Sequence, residues 1–357
     1  MARNMISRVL SAVTALTAAC SFGIKYWPAM DGGQAAVAAA DLLLPAAAQQ
    51  VYAESEKGLE ATRQIENDEP AATATATPSP TATPEPTPVP TPKPGEKAYP
   101  IVETQIGGGT QVQNFSIRNS TQQNPNFEKE LKEPLDLKIK NDGTPMVLLY
   151  HTHTTESYLP QESAWFYEGT ATRSQDENES VVMVGNAIQA ELEAAGFGVI
   201  HDTTVHDYPA YTGGYTRSAE TMQKNLEKYP SIQITLDIHR DAIGGNDGER
   251  MKPTAVINDK KAAQFMLLAG CDDDGTLGFP NWKENLRLAL RLQKTTADLY
   301  PGLARPINFC NRVYNENLTP GSLLLEVGTE VNSREEAAYT GKLFGEILVK
   351  TMQELLE

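Results

Sequence analysis

The sequence predicts an α/β domain with a mostly parallel sheet flanked by helices, preceded by a membrane-targeting segment and a Pro/Thr-rich linker. Three observations carry this. After Lys97, short apolar or alternating segments take turns with stretches of helical spacing, the order of strand–helix–strand units. Eight prolines crowd between Pro78 and Pro94, in a segment that cannot bury enough surface to fold. A basic start, with Arg3 and Arg8, runs into an apolar stretch over residues 9–24.

Residues 1–30 read as a signal peptide or a signal anchor. The apolar run is short for a spanning helix, which needs about 20 residues, yet Tyr26 and Trp27 sit where an interfacial aromatic anchor would. Small residues at 35–40 offer a cleavage site, and Cys20, after Leu16-Thr17-Ala18-Ala19, loosely resembles a lipobox. All of these place the protein outside the cytoplasm. Residues 31–96 form the linker. Its 51–70 part is polar and acidic and suits a lone helix, and 71–94 alternates Thr, Ala and Pro. Stiffened towards polyproline II at about 3.1 Å per residue, it would hold a tethered domain well away from its anchor.

The globular part spans residues 97–357. Residues 146–150 form a buried strand. Val181, Met183, Val184, Ile188 and Leu192 mark a helix over 181–195, with Gly196 as its C-cap. A strand at 197–200, a polar helix at 217–229 and an alternating strand at 232–238 follow, then strands at 254–257 and 265–269. Residues 282–299 form a helix and 323–327 a short strand. The last helix opens on a capping box, Ser333 to Glu336, and turns Leu343, Ile347 and Leu348 inward.

The chain has 357 residues and a net charge of −16, which excludes the basic footprint of a nucleic-acid binder. Three cysteines exclude a disulfide-stapled mini-protein and a four-cysteine zinc module. Cys271 and Cys310 would pair only if the fold brought them together. The five histidines, His151, His153, His201, His206 and His239, all fall in one quarter of the chain.

Ligands of open α/β sheets bind at the carboxyl ends of the strands, and three such ends carry reactive side chains. One runs into His151-Thr152-His153-Thr154-Thr155-Glu156, one into Asp237-Ile238-His239-Arg240-Asp241, and one into Glu326-Val327-Gly328. In extended chain His151 and His153 project on one side. In the alternating strand, Ile232, Ile234, Leu236 and Ile238 share one face and Asp237 and His239 the other. A catalytic zinc typically takes three protein ligands, often two histidines and a glutamate. One of His151 and His153, with Glu156 and His239, supplies that set, leaving Glu326 as a general base. His201 and His206 would line the rim behind the ligands or facing the substrate. Arg240 and Asp241 either hold substrate or form a local ion pair.

The blocks Val147–Tyr158, Asp237–Ala242 and Leu318–Ser322 running into Leu325–Gly328 resemble the stage II sporulation protein P family. The resemblance implies a zinc-dependent N-acetylmuramoyl-L-alanine amidase that cuts peptidoglycan between muramic acid and the first L-alanine of the stem peptide. It also implies cutting of peptide cross-links, work in forespore engulfment beside the lytic transglycosylase stage II sporulation protein D, and a membrane-anchored place on the outer face of the cytoplasmic membrane. The implied fold is the zinc-amidase sheet. Carried over, His239 is a Zn2+ ligand and Glu326 the catalytic carboxylate, and Arg240 or a backbone N–H would face the oxyanion. The wider amidases take their glutamate from the start of the first helix, where Glu177 stands, whereas the sporulation motif offers Glu156. Two other readings stay open: a zinc peptidase without amidase action, and a non-catalytic wall-binding module.

Overall fold

Proline, glycine and positive-φ turns punctuate the chain into twelve strands and five α-helices in a computed structural model that describes residues 95–244 and 248–356. The targeting segment, Cys20 and the acidic and Thr/Pro-rich stretches up to residue 94 lie outside the described residues. Among the described residues, no helix is long and apolar enough to cross a membrane. The strands are β1 (Ala98–Thr104), β2 (Thr110–Val112), β3 (Phe115–Asn119), β4 (Pro145–Tyr150), β5 (Trp165–Tyr167), β6 (Gly198–His201), β7 (Ile234–Asp241), β8 (Arg250–Ile257), β9 (Lys260–Ala263), β10 (Phe265–Gly270), β11 (Ile307–Cys310) and β12 (Ser322–Thr329). The helices are α1 (Phe127–Lys132), α2 (Val182–Ala194), α3 (Gly214–Lys228), α4 (Trp282–Leu299) and α5 (Arg334–Gln353).

Eight strands form one sheet in the order β2-β3-β11-β10-β12-β7-β4-β6, and four form a second, β5-β1-β8-β9. The expected mostly parallel sheet is corrected here: both sheets are mixed. Parallel neighbours need a long crossover, and helices supply it between β4 and β6 and between β10 and β11, while α3 carries the chain from β6 back past β4 to β7. Elsewhere the connections are too short. Asn258 and Asp259, at φ 50° and 61°, turn β8 straight back into β9. A loop with one 3-10 turn, and no α-helix, joins β11 to β12, so the chain reverses and β12 runs antiparallel to β10.

The central strands are buried on both faces. Val147 and Leu149 of β4 pack with Val184, Ile188 and Leu192 of α2, while Leu148 and Tyr150 pack with Met222 of α3. Helices α2 and α5 cross closely over the first face. A Cβ at Gly341 would stand 2.8 Å from the Val184 carbonyl oxygen, and one at Gly345 would stand 2.7 Å from Glu191 Cβ. The capping box at Ser333 is made in both directions, with Glu336 at N3.

Candidate functional site

Side-chain parity along the strands decides which residues meet. Tyr150 pairs in register with Asp237, and Glu326 with His239. Register partners in a sheet point to the same side, so Asp237, His239 and Glu326 stand on the α3 face beside Tyr150. His151 comes one residue later and falls on the α2 face. Its Nδ1 donates to the Ile238 carbonyl at 3.0 Å, and its Nε2 lies 2.8 Å from Nε2 of His201. A carbonyl only accepts, so His151 carries its hydrogen on Nδ1 and its Nε2 accepts from His201. The chain turns at residues 152–155. That turn overturns the expectation that His151 and His153 project together. It carries His153 to the α3 face, where its ring lies 5.2 Å from that of His239 and stacks at 4.5 Å on Tyr211.

The same turn delivers Glu156. Its Oε2 accepts the Arg240 backbone N–H at 3.1 Å and stands 3.6 Å from His239 Nδ1. Burial alone would raise this carboxyl, but the charge of Arg240, with His239 and His153, holds it well below the ordinary carboxylate range. The Arg240 guanidinium donates to the Ser157 and Thr172 carbonyls at 3.3 and 2.9 Å and so braces the loops around Glu156. Of the two roles open to Arg240 in the sequence, this geometry is the local one. Asp241 is likewise engaged, by Arg305 at 2.9 Å.

His239 lies between two acids. Its Nε2 is 2.9 Å from Asp237 Oδ1 but off the line of a hydrogen bond, and it has no other partner. Burial opposes its protonation, yet the charges of Asp237 and Glu156 raise it well above the ordinary imidazole value. Asp237 is itself fixed by Thr152, which donates from N at 2.7 Å and from Oγ1 at 2.6 Å. His153 is driven the other way, to about 3, by burial and by the neighbouring His239 and Arg173 charges. Burial, with the charge of Asp241, raises Glu326 to about 8. Its Oε2 is sealed from water without a hydrogen-bond partner, as is His153 Nδ1. His153 Nδ1 and Glu326 Oε2, unpartnered on two segments of one site, mark a place where a further group would be held. Among the described residues, no group of three or more His, Cys, Asp and Glu stands as a formed metal cluster.

The other predicted residues surround this face. His206 Nδ1 donates to the His151 carbonyl at 2.7 Å, and its Nε2 meets Thr221 Oγ1 at 2.8 Å. Glu177 lies before α2, where its charge acts on His201 rather than on the Glu156 side. Cys271 and Cys310 are free thiols.

Sequence reasoning missed Arg173, Asp207, Tyr211, Tyr215 and Tyr314. Asp207 accepts from Thr155 N and Oγ1 at 3.1 and 2.7 Å and pairs with Arg173, whose guanidinium covers the Tyr211 ring at 4.7 Å. Tyr215 lies 6.3 Å from His239 and 5.5 Å from Tyr314. These residues lie in loops and at a helix start, so no periodicity flags them. The one available signal was aromatic crowding around Gly213-Gly214.

Comparison with known proteins gives three likenesses. Stage II sporulation protein P of Bacillus subtilis (strain 168) is 30% identical over 202 residues, which are 54% of this chain and 47% of that protein. The chain therefore spans about half the length of this curated relative. The CwlD amidase of Clostridioides difficile, solved in complex with the GerS lipoprotein, is 13% identical at a TM-score of 0.36, covering 59% of this chain and 98% of that one. The apo N-acetylmuramyl-L-alanine amidase Ami1 of Mycobacterium abscessus is 14% identical at a TM-score of 0.35, covering 60% and 100%. At such scores the two structural likenesses decide nothing about this chain. The family model described as stage II sporulation protein P (SpoIIP) matches residues 53–349. By that match over most of its length, the chain belongs to the stage II sporulation protein P family.

Proposed function

We propose that this protein is a zinc-dependent peptidoglycan amidase of sporulation, cutting between N-acetylmuramic acid and the L-alanine of the stem peptide. The observation that carries the reading is the convergence of His153, Glu156 and His239 beside the register-paired Glu326, with unpartnered buried atoms on His153 and Glu326. Two histidines and one carboxylate are the donors of a hydrolytic zinc site. Their outer partners fit as well. Tyr211 Oη lies 3.0 Å from His153 Nε2 and Asp237 lies against His239 Nε2, so both rings keep Nδ1 for a cation. The acids that keep His239 protonated would hold a divalent cation in place of that proton.

Bound there, zinc would polarise the scissile carbonyl and make water acidic enough to attack near neutral pH. Glu326 takes the proton from the attacking water and returns it to the departing L-alanine nitrogen. A raised carboxyl suits both halves of that transfer. Asp237 orients His239, with Thr152 fixing Asp237 in turn. Arg240 acts by keeping Glu156 ionised and in place. The basic, apolar start and the Thr/Pro spacer support an exported protein held at the outer face of the cytoplasmic membrane. Family membership supports engulfment as its setting and stage II sporulation protein D as its partner.

The test is mass spectrometry of purified peptidoglycan digested by the full chain, with zinc and with a chelator. Free stem peptides beginning with L-alanine, lost on chelation, are expected. Glu326→Gln should lower their release by at least about a hundredfold while zinc stays bound. Peptides shortened but still on muramic acid would replace this reading with a zinc peptidase. Stoichiometric zinc without any product, even with the partner present, would leave a wall-binding module.

A further inference from the structure

Opposite the Glu156 loop, the site is closed by a segment that its connecting role does not explain. Between β11 and β12, Tyr314 and Asn315 take φ 45° and 61°, two consecutive non-glycine residues in the left-handed region. Such backbone persists only where its surroundings impose it, and here they do so from both sides. Gly270 lets the segment come close, since a Cβ there would stand 2.2 Å from the Arg312 carbonyl oxygen. Glu316 Oε2 accepts the Gly270 N–H at 2.8 Å, and Asn285 Nδ2 donates to the Glu316 carbonyl at 2.8 Å. From the other side, Asn315 Nδ2 donates to the Tyr215 carbonyl and to Ser218 Oγ, both at 3.0 Å. Ser218 Oγ meets Thr152 Oγ1 at 2.6 Å, and Thr152 holds the Asp237 carboxylate beside His239. Thr152 gives its own proton to Asp237, so one directional chain runs from Asn315 through Ser218 and Thr152 to Asp237.

What the segment presents is the Tyr314 ring, half-buried against Tyr215, which in turn lies along His239. Through Tyr215 the ring reaches the side of the sheet that carries His239 and its register partner Glu326, the carboxylate assigned to proton transfer. We propose that Tyr314, backed by Tyr215, is the platform on which a sugar ring of the glycan strand rests beside Glu326, with Asn315 as its positioning residue. This rests on the amidase reading and deepens it. A tyrosine offers a flat apolar face to the C–H face of a pyranose. The stem peptide carries carboxylates, and one partly exposed cation, Arg173, stands over Tyr211, whose ring stacks on His153. On the Tyr314 side the nearby cation, Arg312, is turned back on its own segment, donating to the Asn311 carbonyl at 2.8 Å, which leaves the aromatic face for the uncharged sugar.

The test measures binding by calorimetry to the full zinc-loaded chain carrying Glu326→Gln, which stops turnover. Two probes are used: a soluble disaccharide-peptide released from peptidoglycan, and the same stem peptide without sugar. Adding Tyr314→Ala should weaken the sugar-bearing probe by about tenfold and leave the free peptide unchanged, while Tyr314→Phe binds both like its parent. Asn315→Gly tolerates the backbone but loses both bonds. It should weaken the sugar-bearing probe, and Tyr314→Ala should add little on top of it. Equal weakening of both probes, unchanged affinity in Tyr314→Ala, or no binding of the sugar-bearing probe to the parent overturns the proposal. The amidase reading fails separately, if the unmutated chain binds the sugar-bearing probe with this contrast yet releases no stem peptide.

Discussion

Replacing Gly185 with alanine would put a methyl group where helix α2 touches the His151–His201 pair. A Cβ at that position would stand 2.5 Å from His201 Nε2, 2.6 Å from His201 Cε1 and 3.3 Å from His151 Cε1. The first two distances are inside van der Waals contact, so the His201 ring must move. Moving it breaks the 2.8 Å bond to His151, whose Nε2 is buried and accepts there. Removing a glycine from a helix interior gains about 0.5–1 kcal/mol. Against this stand about 1–3 kcal/mol for the stranded buried nitrogen and about 1–3 kcal/mol for overpacking. His201 is partly exposed and has room to swing outward, which favours the lower ends. The net expectation is a loss of about 1–3 kcal/mol, read from urea unfolding of the chelated protein at neutral pH. In a His201→Ala background the clash is gone, and the same Gly185→Ala change should stabilise by about 0.5–1 kcal/mol. A stabilising effect in the unmutated chain, or an equal loss in both backgrounds, would refute the reasoning.

Burial holds His201 down at about 4 and His151 at about 3, against an ordinary value of 6.5. The unfolded chain then binds protons that the fold refuses, so the contribution of this pair to stability is full above pH 6.5 and is lost as pH drops towards 4. Unfolding of the chelated protein across that window should show this fall, and His201→Gln should remove up to about 3 kcal/mol of it. Glu316 is raised well above its ordinary 4.5 by burial, so the fold keeps a proton that the unfolded chain releases, and stability declines as pH rises past that value. Glu316→Gln is never charged and should flatten this decline; a loss above about 1 kcal/mol in mildly alkaline buffer would contradict a neutral Glu316. The Lys252 side chain is 3% exposed and lies 2.9 Å from the equally buried Glu336, so Lys252→Ala should cost about 3–5 kcal/mol in thermal or urea unfolding. Lys261→Ala, on the solvent side of the same acidic cluster, should cost less than about 1 kcal/mol by the same measurement.

Much of the scaffold was legible because its signals are local. The Ser333–Glu336 capping box is written within four residues, and the strand around Leu148 and the helix at 282–299 follow from apolar spacing alone. Motif reasoning likewise picked out His153, Glu156, His239 and Glu326 as candidates. Parity along β4 is local as well. His151 is one step out of phase with Asp237 once β4 and β7 pair in register, which separates it from His239. The register itself, however, comes from the packed sheet and not from either strand.

By itself, then, the sequence determined the family, most helices and central strands, and the residue types of the site, because periodicity, caps and contiguous motifs act over a few residues. Tertiary structure decided the rest. It set the strand directions, since a connection reveals its reversal only when both strands find their neighbours. It parted the two histidines of the first motif, since the turn after His151 sends them to opposite faces of the sheet. It also brought Tyr211, Tyr215 and Tyr314 to the site from separate segments, a convergence that depends on long-range packing and leaves no pattern in the order of residues.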